Sequence, residues 1–195
     1  MANPRRHGVT SETHTHMLLD SGQINLNYVS PSSLGTIIGA TRSGSSFTIE
    51  QDIRDMGVDG AKGSVKGYRR IVKSTAKLVC KFIEFKKEII QMALPGAAIT
   101  DEPLITPTHD KIARSLQISL TDYKSNVAFI GEILGSRRPV IIVLSNVLVE
   151  GNFELSSVDG DESVVTLAFS AHFSPSDLQT EPWSILIPND VTTTP

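Results

Sequence analysis

A chain of 195 residues and 21.1 kDa is one large domain or two small ones, long enough to bury a core without a covalent staple. Its 18 Lys and Arg against 21 Asp and Glu leave a net charge of −3, which excludes a globally basic nucleic-acid binder. A 39% hydrophobic and 20% charged composition excludes a disordered chain, and the single cysteine, Cys80, excludes an internal disulfide or a cysteine-cluster zinc site.

The first 17 residues carry basic side chains but no apolar stretch, so no secretory signal is expected and folding in a cytoplasm is. Residues 1–22 and 188–195 are polar and aperiodic and are expected to be flexible arms around a domain at 23–187. Residues 24–29 alternate apolar and polar, as a half-buried strand does, and end at Ser30-Pro31. Residues 34–40 are a second candidate strand, closed by the turn-like Arg42-Ser43-Gly44-Ser45, and residues 47–50 alternate again. Residues 57–67 contain Gly57, Gly60, Gly63 and Gly67 and read as a loop.

Residues 70–85 form the longest strand-like segment. Ala76, Leu78, Cys80 and Phe82 fall on one face, and Lys73, Lys77 and Lys81 fall on the other with Val79 and Ile83. One helix is expected over residues 85–94, with Phe85, Ile89, Met92 and Ala93 as its apolar stripe and Pro95-Gly96 as its stop. Residues 95–111 read as a long loop, and residues 115–120 as an alternating strand. Residues 127–134 and 140–144 are apolar on both faces and need cover from the helix or from a neighbouring subunit. Residues 152–156, 163–173 and 183–187 complete the set, the first two flanking the acidic turn Asp159-Gly160-Asp161-Glu162. The run at 140–144 is the longest aliphatic stretch, far short of the roughly 20 residues of a membrane helix. The whole reads as mainly β: an antiparallel two-sheet β-sandwich or barrel flanked by one short α-helix, with long loops and flexible terminal arms.

No constellation reads as an active site. Gly63 precedes Ser64 and Gly67 precedes Tyr68, so the glycine loop lacks the Gly-Lys-Ser/Thr that a phosphate loop needs. His14 and His16 lack a third ligand nearby, His109 and His172 have no Gly-x-Ser-x-Gly partner, and Cys80 alternates with core residues as an inert thiol does. The chain is therefore read as non-enzymatic, without cofactor or metal. What stands out is charge segregation. Residues 62–87 hold nine bases and one acid, a net of +8, and residues 139–195 hold eight acids and no Lys or Arg, a net of −8. Such segments form a solvated bipolar surface, pair within one fold, or give a polar subunit whose positive face meets a neighbour's negative face.

Several runs then stand together. They are Ile38-Gly39-Ala40-Thr41-Arg42 with Phe47-Thr48-Ile49, Val58-Asp59-Gly60-Ala61-Lys62-Gly63-Ser64-Val65-Lys66-Gly67, and Arg69-Arg70-Ile71. Later come Asn126-Val127-Ala128-Phe129-Ile130-Gly131-Glu132, Ser170-Ala171-His172-Phe173-Ser174-Pro175-Ser176-Asp177-Leu178 and Glu181-Pro182-Trp183. In this order, over residues 24–187, the chain resembles the tail tube (major tail) proteins of long-tailed, non-contractile bacteriophages. The resemblance implies a two-sheet sandwich with a helix, hexameric rings stacked into a tube, and a lumen through which DNA passes without specific binding. It implies tape-measure, tail-tip and tail-terminator proteins as partners, a place in the virion, and assembly in the host cytoplasm. It makes residues 57–67 a loop reaching a neighbour, with Asp59, Lys62, Ser64, Lys66, Arg69 and Arg70 as subunit-interface candidates.

A channel for duplex DNA should not be lined with unopposed lysines, because phosphate neutralisation would hold the duplex. Lys73, Lys77 and Lys81 are therefore expected away from the lumen, and Glu150, Glu154, Asp159, Asp161 and Glu162 are the lumen candidates. The alternatives are the tube protein of a contractile injection or type VI secretion apparatus, and a monomeric β-sandwich binding module. One Trp and three Tyr spread along the chain argue against the module.

Overall fold

The computed structural model of the chain describes residues 8–10, 12–101, 109–157 and 159–189. A 3-10 turn at Thr13–His16 leads into β1 (Leu18–Leu26), β2 (Thr36–Ile37), β3 (Thr41–Asp55), β4 (Arg69–Phe82) and α1 (Lys87–Ala93). Then come β5 (Ala97–Asp101), β6 (Asp110–Arg114), a 3-10 turn at Leu120–Asp122, β7 (Lys124–Ile133), β8 (Val140–Val149), β9 (Leu155–Ser156), β10 (Val164–Ser170) and β11 (Trp183–Leu186). Every pairing is antiparallel, and among the described residues the sheets do not close into a barrel.

β8 belongs to two layers. Residues 141–144 pair with β7 on one side and β11 on the other, and Leu148 and Val149 pair with β10. Between them Asn146 takes φ 50°, a left-handed conformation that Asn tolerates better than most residues, and its Nδ2 donates to the His172 carbonyl at 3.1 Å. The chain bends there, so the layer β2–β1–β7–β8–β11 folds over the layer β9–β10–β4–β3.

The period-two faces read from the sequence fill the space between. Ala76, Leu78, Cys80 and Phe82 from β4 and Val165, Leu167 and Phe169 from β10 pack with Ile24, Val127, Phe129 and Leu144 of the opposite layer. Phe82 and Phe169 meet edge-on at 6.5 Å, and Phe47 meets Trp183 at 6.2 Å across the two layers. The helix closes this core with Ile89 and Ala93, as its stripe requires. It is shorter than expected, starting at Lys87, and Phe85 lies before it and is 62% exposed.

The second apolar face of β7 and β8 is covered by the chain itself rather than by the helix. Ala128, Ile130 and Ile141 are buried beneath Tyr28 and Leu34, from the loop between β1 and β2. Asn126 clamps that loop: its Oδ1 accepts from the Tyr28 N–H at 2.7 Å and its Nδ2 donates to the Tyr28 carbonyl at 2.9 Å. The buried Asn25 donates to the Leu34 carbonyl at 2.9 Å. Gly35, at φ 81°, passes so close that an added Cβ would lie 2.1 Å from the Leu26 carbonyl oxygen.

Four other expectations change. The strand expected at residues 34–40 contracts to Thr36–Ile37: Leu34 belongs to the covering loop, and Ile38 packs in the main core. The turn expected at Arg42–Ser45 is instead a bulge inside β3, with Ser43 and Gly44 at positive φ. The loop expected at 95–111 is built at both ends as the β5–β6 hairpin, its residues 102–108 lying outside the described residues. The N-terminal arm is shorter than 22 residues: β1 starts at Leu18, which pairs with Ile133, and Thr15 is buried. Residues 1–7 and 190–195 lie outside the described residues.

Phe169→Ala is expected to cost about 3–5 kcal/mol in denaturant unfolding, the usual range for truncating a buried aromatic. Asn126→Ala, which leaves the Tyr28 backbone without its two partners, is expected to cost about 1–3 kcal/mol. Cys80 is fully buried and its thiol is pushed up to about 11 by that burial. A maleimide at pH 8 is therefore expected to label it only after unfolding, which mass spectrometry reads directly.

Candidate assembly surfaces

β3 is 15 residues long, about 50 Å at roughly 3.3 Å per residue, and the sandwich uses only its first half. From Glu50 through the turn to Lys73 every residue is exposed, so a two-stranded ribbon projects with no layer against either face. This ribbon carries Ile53, Met56, Val58, Val65, Tyr68, Ile71 and Val72, all exposed. An isolated hairpin is marginal in water, and exposed apolar side chains at this density mark a contact surface.

All six interface candidates sit on the ribbon. Asp59, Lys62, Ser64 and Lys66 lie in the turn, Arg69 and Arg70 begin β4, and Arg69 Nη2 donates to Ser64 Oγ at 3.2 Å. Their charge is less one-sided in space than in sequence. β3 brings Asp52 opposite Lys73 and Asp55 opposite Arg69. Across residues 50–73 six bases meet four acids, so the ribbon carries +2.

The acidic turn lies at the opposite end of the same strands. Val165 and Thr41 both pair with Phe82, which places residues 159–162 beside the root of the β3–β4 hairpin. There Arg42 donates to both Asp161 and Glu162, and its hydrogen bond holds the Asp161 carboxyl below its ordinary range. Glu154 and Asp161 line a cavity with Arg42 and Lys81. The basic and acidic segments thus do meet within one chain: β4 pairs with β10 over residues 77–82, and Lys81 shares this cavity with Glu154 and Asp161. Glu150 is elsewhere: its Oε1 lies 3.4 Å from His172 Nε2.

Residues 115–119 run without a strand partner, contrary to the strand expected there. Ser115 N–H bonds to the Gly96 carbonyl and ends the β5–β6 ladder, and Ser119 and Asp122 cap each other to start the 3-10 turn. Leu116 and Leu120 are left 99% and 87% exposed, with Ile118 half-exposed between them. The alternation was visible in sequence; that its apolar side finds no cover among the described residues was not. Among the described residues no three His, Cys, Asp or Glu side chains converge as metal ligands, and no helix is long and apolar enough to cross a membrane.

No protein-family model and no curated protein matches the chain. Two solved structures are similar to it. One is a chain of the virion of a native gene transfer agent particle, 10% identical, covering 86% of this chain and 96% of that one, with a TM-score of 0.44. The other is a chain of the tail of an empty gene transfer agent particle refined with C6 symmetry, 11% identical, covering 79% and 92%, with a TM-score of 0.43.

Because the ribbon touches no core, Ile53→Ser with Ile71→Ser is expected to leave monomer stability within about 1 kcal/mol, as surface changes away from packed sites do. Thermal melting at low protein concentration measures it. A loss comparable with that of Phe169→Ala would mean that the ribbon folds back on the sandwich.

Proposed function

We propose that this chain is a structural subunit of a phage-type tail tube. The observation that carries the reading is the ribbon of residues 50–73, which exposes seven large apolar side chains and gains nothing from its own fold. A second copy supplies the missing cover. The sequence resemblance over residues 24–187 supports the same reading.

The contact is heterologous. The ribbon tip is basic and the turn at residues 159–162 is acidic, and the strands hold them at opposite ends. A patch that meets a different patch on the next copy gives rings where rotation closes and stacks where it does not. In this reading Lys62, Lys66, Arg69 and Arg70 approach the acidic end of a neighbour, with Asp59 and Ser64 shaping the turn. Six subunits per ring, DNA passage, and the tape-measure, tail-tip and tail-terminator partners come from the resemblance. Glu150, Glu154, Asp159, Asp161 and Glu162 remain the proposed lumen acids, with the charge of Asp161 and Glu162 shared with Arg42.

Negative-stain microscopy of concentrated protein, with and without a tail-tip seed, is expected to show uniform hollow rods. Lys62→Glu, Lys66→Glu and Arg69→Glu together are expected to abolish rods and leave the monomer's cooperative melt unchanged. Monomers under every seeding condition would overturn the reading. Loss of the melt in the triple variant would place these residues in intramolecular pairing instead.

A further inference from the structure

We propose that residues 115–120, with the groove beside them, are the surface that receives the ribbon of a second copy. This rests on the tail-tube reading above and names what covers the ribbon.

The segment between β6 and the 3-10 turn at Leu120–Asp122 is open in two ways. Its apolar side chains, Leu116, Ile118 and Leu120, are exposed. Its backbone is open as well: among the described residues nothing accepts from the Leu116 or Ile118 N–H, and nothing donates to their carbonyls. Apolar side chains over unpaired backbone make a template for one more strand. Beside the segment lies a groove of about 630 Å³. Leu94 and Pro95 from the end of α1, Ile118, and Leu148, Val149 and Phe153 give it an apolar lining. Its two charged members are engaged within the chain. Arg114 Nε donates to the Pro95 carbonyl at 3.2 Å, and Glu150 faces His172.

The ribbon is the occupant that fits. β3 ends its sheet, and β10 pairs with β4 only from Lys77 onward, so among the described residues both outer edges of the ribbon are unpaired. A free edge on one copy can pair with the free segment on the next. The side chains match too. Ile53 and Ile71 are cross-strand partners, and Met56 and Tyr68 follow them toward the turn, all four exposed. Charge keeps the same order. Toward its turn the ribbon becomes basic, with Lys62 and Lys66, and the groove leads to acids. Phe153 lines the groove, and the next residue, Glu154, lines the cavity of Arg42 and Asp161. Apolar meets apolar and basic meets acidic when the docked ribbon points from the groove toward the turn at residues 159–162. The two surfaces differ, so a copy that gives its ribbon keeps its groove free for the next copy, and the contact repeats.

The test uses the full chain. Leu116→Ser with Leu120→Ser is expected to abolish rods and leave the monomer's melt unchanged, because both side chains are exposed. Rods as abundant as those of the unsubstituted chain overturn the docking, and so does a lowered melt, which would place the leucines in packing within the fold. Crosslinking identifies the occupant. Rods mixed from Ile71→Cys chains and Ile118→Cys chains, treated with a short bis-maleimide, are expected to yield a dimer joined between residues 71 and 118. Gel electrophoresis and peptide mass spectrometry read it, with buried Cys80 silent. A dimer from the Ile71→Cys chain alone would put ribbon on ribbon, and mixed rods without the 71–118 dimer would give the groove another occupant; either result overturns the proposal. If the unsubstituted chain forms no rod, the tail-tube reading itself fails, whereas rods that lack the 71–118 contact defeat the docking alone.

Discussion

The bend in β8 at Asn146 decides what the rest of the chain can do. A strand that begins between β7 and β11 and ends beside β10 must leave one layer and enter the other. The left-handed turn at Asn146 makes this possible, and a small knot fixes it. The His172 N–H donates to the Ser145 carbonyl, Asn146 Nδ2 donates to the His172 carbonyl, and the Tyr123 ring meets the His172 ring edge-on at 5.3 Å. Once β8 turns, the inward faces of β4 and β10 have the inward faces of β1 and β7 to pack against, and Phe82, Phe169, Leu78 and Leu144 become fully buried. The same bend gives the two outer faces unequal fates. One is apolar and sealed by the chain's own loop; the other stays polar and open.

Strands whose side chains alternate cleanly were legible from residue order. The faces of β4 and β10 follow from a period of two, because each strand has one dry side and one wet side. The apolar character of β7 and β8 was equally plain, but its cover was not. Tyr28 and Leu34 reach that face through Asn126 and Asn25, two polar side chains whose role is to bind a loop backbone, and local pattern carries no trace of such a bond. Residues 115–120 show the converse. Their alternation matches that of a strand, yet a strand needs a partner edge as well as a pattern, and the cap between Ser119 and Asp122 turns the chain away before one is reached. The bulge at Ser43 and Gly44 was read as a turn because both need the same positive φ.

Charge taught a similar lesson about segments. Counting along the chain separates +8 from −8, but strands pair across such boundaries. β3 brings Glu50, Asp52 and Asp55 alongside the basic β4, and Arg42 reaches the acidic turn. What survives folding is a gradient along one long hairpin: a basic, apolar tip at one end and a partly neutralised acidic turn at the other. That remainder is smaller than the sequence count, and it runs along the strands, as the proposed head-to-tail contact requires.

The ribbon separates the surface proposed for assembly from the residues that pack the core. The core holds its large apolar side chains between two layers, so the sandwich needs no neighbour to fold. The ribbon has the opposite arrangement, with Ile53 paired to Ile71 and both exposed. Its strand pairing keeps it extended, while both its faces remain to be covered. Burying such a surface on another copy removes apolar area from water without disturbing the layer that anchors it. Core packing and the proposed contact therefore use different lengths of the same two strands, the first half of β3 with the second half of β4 for the fold and the far halves for the contact. Continuous strands join the two lengths, so the core-packed halves of β3 and β4 fix the direction in which the ribbon extends.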